Sequence, residues 1–93
     1  MENEKNSQLF LSIIYTFQMQ CWMQLGKLKN PVNDKIERDL DAAQMSIDIL
    51  DMLKGKTKGN LTDEELKFLD HIISDLKLNY VEESQKKEEP KAE

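Results

Sequence analysis

The sequence predicts an all-α protein, a three-helix up-down arrangement whose first helix is too apolar for one neighbour. Three observations carry this. Apolar residues recur at spacings of three and four through most of the chain. Glycine- and proline-bearing connections fall near residues 26–33 and 55–60. From Asn6 to Gly26 no side chain is charged, although 33% of the chain is Asp, Glu, Lys or Arg.

The first helix is expected over about residues 7–25, after a flexible N-terminus at 1–6, and it stops at Gly26, a natural residue past a helix end. At about 100° per residue, its apolar side chains fall on three sectors. Leu9, Ile13 and Phe17 share one, with Gln24. Phe10, Ile14, Cys21 and Leu25 share a second. Leu11, Tyr15, Met19 and Trp22 share a third. Only Ser12, Thr16 and Gln20 make a polar stripe, with Gln18 isolated opposite. Strands are the alternative, since Ile13, Ile14 and Tyr15 suit them, but the run is long and has neither alternation nor a turn residue.

A helix apolar on most sides must be covered on more than one face. Chains of this size bury only roughly 60% of their unfolded surface, and no disulfide or zinc cluster staples this one. Completion by oligomerisation, a dimer first, is therefore expected. The interface is placed at Phe10, Ile14, Tyr15, Phe17, Gln18, Met19, Trp22 and Met23, where the glutamines would fix register by pairing between subunits.

Lys27–Asn33 is a connection, because the residue before Pro31 avoids helix. The second helix is expected at about 34–54, opened by a capping box of Asp34 and Glu37. Ile36, Leu40, Ala43, Ile47 and Leu50 form its stripe, and Lys54 to Asn60 close it with cations and glycines. The third helix is expected at about 63–81. Thr62 and Glu65 form its capping box, Leu61 and Leu66 its staple, and Leu66, Leu69, Ile73, Leu76 and Tyr80 its stripe. Phe68 and Leu78 are surplus apolar surface. Residues 82–93 collapse to Glu, Ser, Gln, Lys, Pro and Ala and are expected to be a disordered charged tail.

Few residues offer chemistry. His71, the only histidine, faces away from the stripe of its helix, and Asp75 alone is a weak co-ligand. Gly55-Lys56-Thr57 resembles the end of a phosphate-binding loop, but the glycine required five positions earlier is Leu50. Cys21 is expected to be a small buried apolar group in a reducing cytoplasm. Neither a catalytic group, a metal site nor a cofactor is expected. The net charge of −5 argues against non-specific nucleic-acid binding. The glutamines and hydroxyls of the first helix argue against a membrane span. An alternative role is RNA or ribosome association through Lys54, Lys56, Lys58 and Asn60, joined by Lys27 and Lys29 if the two loops meet.

The chain resembles the bacterial family known as domain of unknown function 1844. The likeness rests on Leu9-Phe10, Ser12, Tyr15, Gln18-Met19, Leu25-Gly26 and Asn30-Pro31, then on Lys35-Ile36, Ile47-Asp48, Leu50 and Met52-Leu53. Its most specific block is Lys56-Thr57-Lys58-Gly59-Asn60-Leu61-Thr62 with Glu64-Glu65, and it closes on Asp75-Leu76 and Tyr80-Val81. The resemblance implies a small helical bacterial protein, assigns no activity, and hints at translation through the genomic neighbours of some members. Where that family is expected to carry a turn glycine after Pro31, this chain has Asp34 following Asn33, which would start helix two slightly earlier.

Overall fold

A computed structural model describes the backbone of residues 2–86 and the side chains from Glu4 onward. Three helices follow one another: α1 (Glu2–Gln24), α2 (Leu40–Lys56) and α3 (Asp63–Ser84). Each packs on both of the others. Among the described residues there is no strand, only two isolated bridges, Leu25 with Arg38 and Asn30 with Lys35. The all-α, three-helix reading holds.

The core draws one stripe from each helix. Ile14, Cys21 and Leu25 meet Ala43, Ile47 and Leu50 and then Leu69, Ile72, Ile73 and Leu76. Phe10, Phe17, Trp22, Leu53, Phe68 and Tyr80 close its margins. One polar side chain of α2, Ser46, is buried with them. Its hydroxyl donates to Gln24 Oε1 at 2.6 Å and accepts from Gln20 Nε2 at 3.5 Å. These two glutamines are thus spent inside the chain. The expectation that they pair between subunits is corrected for both, because a buried hydroxyl needs partners.

Helix α1 begins at Glu2, so the flexible start expected at 1–6 is helical, with Met1 outside the described residues. Acids in a first turn favour a helix N-terminus. The Ser7 hydroxyl also donates to the Glu65 carboxylate, tying this end of α1 to the cap of α3.

Helix α2 begins at Leu40, six residues later than the Asp34–Glu37 capping box implied. That box does not form. Asp34 has φ 57°, in the left-handed region, and the Asn33 side chain accepts from Lys35 N–H at 3.0 Å. Asp34 therefore occupies the conformation a turn glycine favours instead of starting a helix. The N-cap is Asp39, whose carboxylate accepts from Ala42 N–H at 3.1 Å. Ile36 is left in the connection, exposed.

Helix α3 starts as expected, with both halves of the Thr62–Glu65 capping box made. It runs on to Ser84, so residues 82–84 belong to the helix and not to a tail, while 87–93 lie outside the described residues. The reason is Glu83, a residue only 6% exposed. It meets Lys27 Nζ at 3.1 Å, Arg38 Nη1 at 3.0 Å and Lys86 Nζ at 3.2 Å. Arg38 also donates to the Glu83 carbonyl at 3.3 Å. Lys27 and Arg38 flank the α1–α2 connection, so one carboxylate pins that connection to the end of α3. Gly26, at φ 83°, makes the turn beside it, where an added Cβ would meet the Arg38 side chain at 3.5 Å.

Burial alone would raise the Glu83 pKa, but the three cations outweigh it and hold the carboxyl below its ordinary value. The stability Glu83 contributes is thus complete above the unfolded carboxyl value of roughly 4.3 and is lost as pH falls through the lower folded value. Glu83→Gln is expected to cost about 2 kcal/mol at neutral pH, seen as a melting temperature lower by on the order of 10 °C. That gap should close on acidification below about pH 4. A gap independent of pH would rule out the carboxylate as its source. Asp34→Gly should raise stability by about 0.5–1 kcal/mol in urea unfolding, because glycine adopts φ 57° without strain.

Candidate functional site

The sequence of α1 does not distinguish its three apolar sectors, but packing does. The sector of Phe10, Ile14, Cys21 and Leu25 faces the core, with Ile14, Cys21 and Leu25 fully buried. Leu11, Phe17 and Trp22 are half-buried beside it. The opposite side is open. Leu9 is 54% exposed, Ile13 47%, Tyr15 51% and Met19 52%.

The residues expected at an interface therefore separate. Tyr15 and Met19 are available. Phe10, Phe17, Gln18, Trp22 and Met23 are half-buried, and Ile14 lies wholly inside the chain's own core. Leu9 and Ile13 belong to the open face and were not among the residues expected there. The signal that finds them is their position across Ser12 and Thr16 from Tyr15 and Met19.

Ser12 and Thr16 run along the middle of this open face. The Ser12 hydroxyl donates to the Leu9 carbonyl at 2.8 Å, and the Thr16 hydroxyl donates to the Ser12 carbonyl at 2.9 Å. Both donors are satisfied within the helix, so the strip between the larger side chains is narrow, uncharged and low in polar demand. Tyr15 forms one wall, its ring meeting Phe68 of α3 edge-on at 5.3 Å and 67°. Phe68, expected as surplus surface, thus supports the tyrosine.

The lysine-bearing loops do not form one patch. The α1–α2 connection lies at the end of the bundle where Arg38 reaches Glu83, and the α2–α3 turn lies at the other, beside Ser7. Between them stands α2, 17 residues or roughly 25 Å long. Lys27 is held by Glu83, and Lys54 pairs with Asp70, which raises the Lys54 pKa by hydrogen bond and charge. Lys56, Lys58 and Asn60 are exposed. A cleft of about 360 Å³ at this turn is lined by Asp51, Lys54, Gly55, Lys58, Leu61 and Leu66. His71 is exposed, and among the described residues no group of three or more His, Cys, Asp or Glu could hold a metal ion. Nor is any described helix long and apolar enough to cross a membrane.

Cys21 is buried, with its thiol 3.6 Å from the Ala43 carbonyl, and burial pushes its pKa up to about 11. A thiol so placed is almost wholly protonated at neutral pH. Labelling of the native protein by a thiol-disulfide reagent at pH 7 should be slower than in urea by at least about a hundredfold. Comparable rates would mean that α1 leaves the core readily.

No curated protein and no solved structure matches the chain. The model of one family, described as a domain of unknown function (DUF1844), matches residues 7–82, which span all three helices. The chain belongs to the DUF1844 family.

Proposed function

We propose that this protein is a non-enzymatic, self-associating helical module that acts by binding protein, the open face of α1 being its contact surface. The observation that carries the reading is the exposure of Leu9, Ile13, Tyr15 and Met19 on one uncharged helix side. Such patches mark interaction surfaces on small soluble domains. Burying each of these half-open side chains would add roughly 1 kcal/mol, half the value of a full burial. The charged residues lie elsewhere, many in ion pairs such as Lys54–Asp70 and Lys77–Asp51, and supply no competing surface of comparable coherence.

Light scattering behind size exclusion, over a hundredfold concentration range, tests the reading. A mass that rises from monomer toward dimer is expected. Met19→Glu should hold the protein monomeric at every concentration while its helical circular dichroism stays unchanged, because Met19 contributes little to the core. A wild-type protein that remains a folded monomer at the highest concentration would overturn self-association.

A further inference from the structure

We infer that the cleft where α2 turns into α3 is a binding site for a small aliphatic carboxylate, separate from the open face of α1. Gly55 singles this cleft out. It stands in the last turn of α2, one residue before the helix ends at Lys56. Glycine costs a helix stability relative to alanine and is needed where the backbone is left-handed or a neighbour comes close. Neither condition holds here. Its φ is not positive, unlike those of Gly26 and Gly59, and an added Cβ would meet nothing within 4 Å. What the missing side chain leaves is open space at the wall of a cleft of about 360 Å³, which Gly55 lines with Lys54, Lys58, Leu61 and Leu66.

The lining suits an apolar body with an anionic head. Leu61 is half-buried against the core and Leu66 is 38% exposed, so the two give the cleft an apolar floor. The carbon stems of Lys54 and Lys58 add apolar surface at its rim. Charge selects the head. Asp51 meets Lys77 Nζ at 3.1 Å and Asp70 pairs with Lys54, so both carboxylates are answered within the chain. Lys58 is exposed and makes no ion pair among the described residues. Lys54, Lys58 and Lys77 against Asp51 and Asp70 leave one positive charge. The net charge of −5 belongs to the whole chain. Salt screens exposed charges beyond roughly 8 Å, so the local excess sets the sign.

Size narrows the class further. Ligand clefts run from roughly 300 to 1,000 Å³, and this one lies at the small end. A short chain with a single head fits it. Inorganic phosphate would leave Leu61 and Leu66 uncovered, and a plain hydrocarbon would leave Lys58 unanswered. Most of the affinity comes from apolar contact, because an exposed ion pair is worth only a few-fold in binding. Lys58 supplies the preference for one sign of charge over the other.

The test is an NMR titration of the isotope-labelled full chain with sodium octanoate at constant ionic strength. Octylammonium chloride, the same chain with the opposite charge, is the control. Saturable shifts are expected at the backbone amides between Lys54 and Leu66, and octylammonium should not reproduce them. Gly55→Leu is expected to weaken octanoate binding by at least about tenfold. Helix side chains tilt toward the N-terminus, which lays this leucine back toward Asp51 on the same cleft. Its melting temperature should not fall, since leucine is the better helix former and its Cβ meets nothing. Lys58→Glu should weaken binding about threefold or more, and Lys58→Arg should preserve it. Octanoate that leaves these amides unmoved, or shifts those of Leu9, Ile13, Tyr15 and Met19 instead, would overturn the inference. So would equal affinity for octylammonium, or undiminished binding by a folded Gly55→Leu. None of these outcomes bears on the oligomeric state, which tests the α1 reading separately.

Discussion

The Glu83 carboxylate governs more of this fold than any other single group. Alone, a buried carboxylate is costly, and here it is tolerated because Lys27, Arg38 and Lys86 converge on it. Its two longer-range partners come from either side of the α1–α2 connection. The same contacts therefore fix where α1 ends, where α2 begins and how far α3 continues. Gly26 turns the chain in the space beside Arg38, and the antiparallel Leu25–Arg38 bridge brings the folded-back connection to the end of α1, next to Asp39, which caps α2. At the other end of the bundle a second carboxylate, Glu65, does similar work with uncharged donors. The Thr62–Glu65 capping box receives Ser7 of α1, so α3 is tied to α1 at one end and to the α1–α2 connection at the other.

What could be read from the sequence divides along this line. Local signals were legible. Capping chemistry at Thr62, glycine at residue 26 and the stripes of α2 and α3 are short-range features, and the structure reproduces them except at Ile36 and Leu66, the first residue of each expected stripe, which are exposed. Long-range ones were not. Glu83 sits in a run of Glu, Ser, Gln and Lys whose composition reads as tail, and nothing nearby announces that cations some fifty residues upstream will reach it. The same blindness moved the start of α2. Asp34 with Glu37 and Asp39 with Ala42 are both reasonable caps, and the choice is made by Arg38, which is drawn to the far end of α3.

The face of α1 was half legible. Its excess of apolar residues is plain in the sequence, since no charge interrupts it. Which sector would be left outside depends on α2 and α3. Ile14 was expected at an interface and is core, whereas Leu9 and Ile13 complete the open side. The glutamines illustrate the same limit. Gln20 and Gln24 stand beside apolar residues in a way that suggests pairing between subunits, yet Ser46 of the chain's own α2 claims both.

The pinned connection has a consequence for how copies of this chain can come together. Exchange of a terminal helix between subunits requires a hinge that can straighten, releasing the helix to a neighbour. Between α1 and α2 the hinge is bent back through a bridged turn and clamped at both flanks by a buried carboxylate, while Ser46 keys α1 against α2 at one axial position. Opening it would strand a charge and a hydroxyl in the interior at the same moment. Helix swapping is thereby disfavoured, and any association between copies would be left to docking of finished monomers, a process that reverses without unfolding.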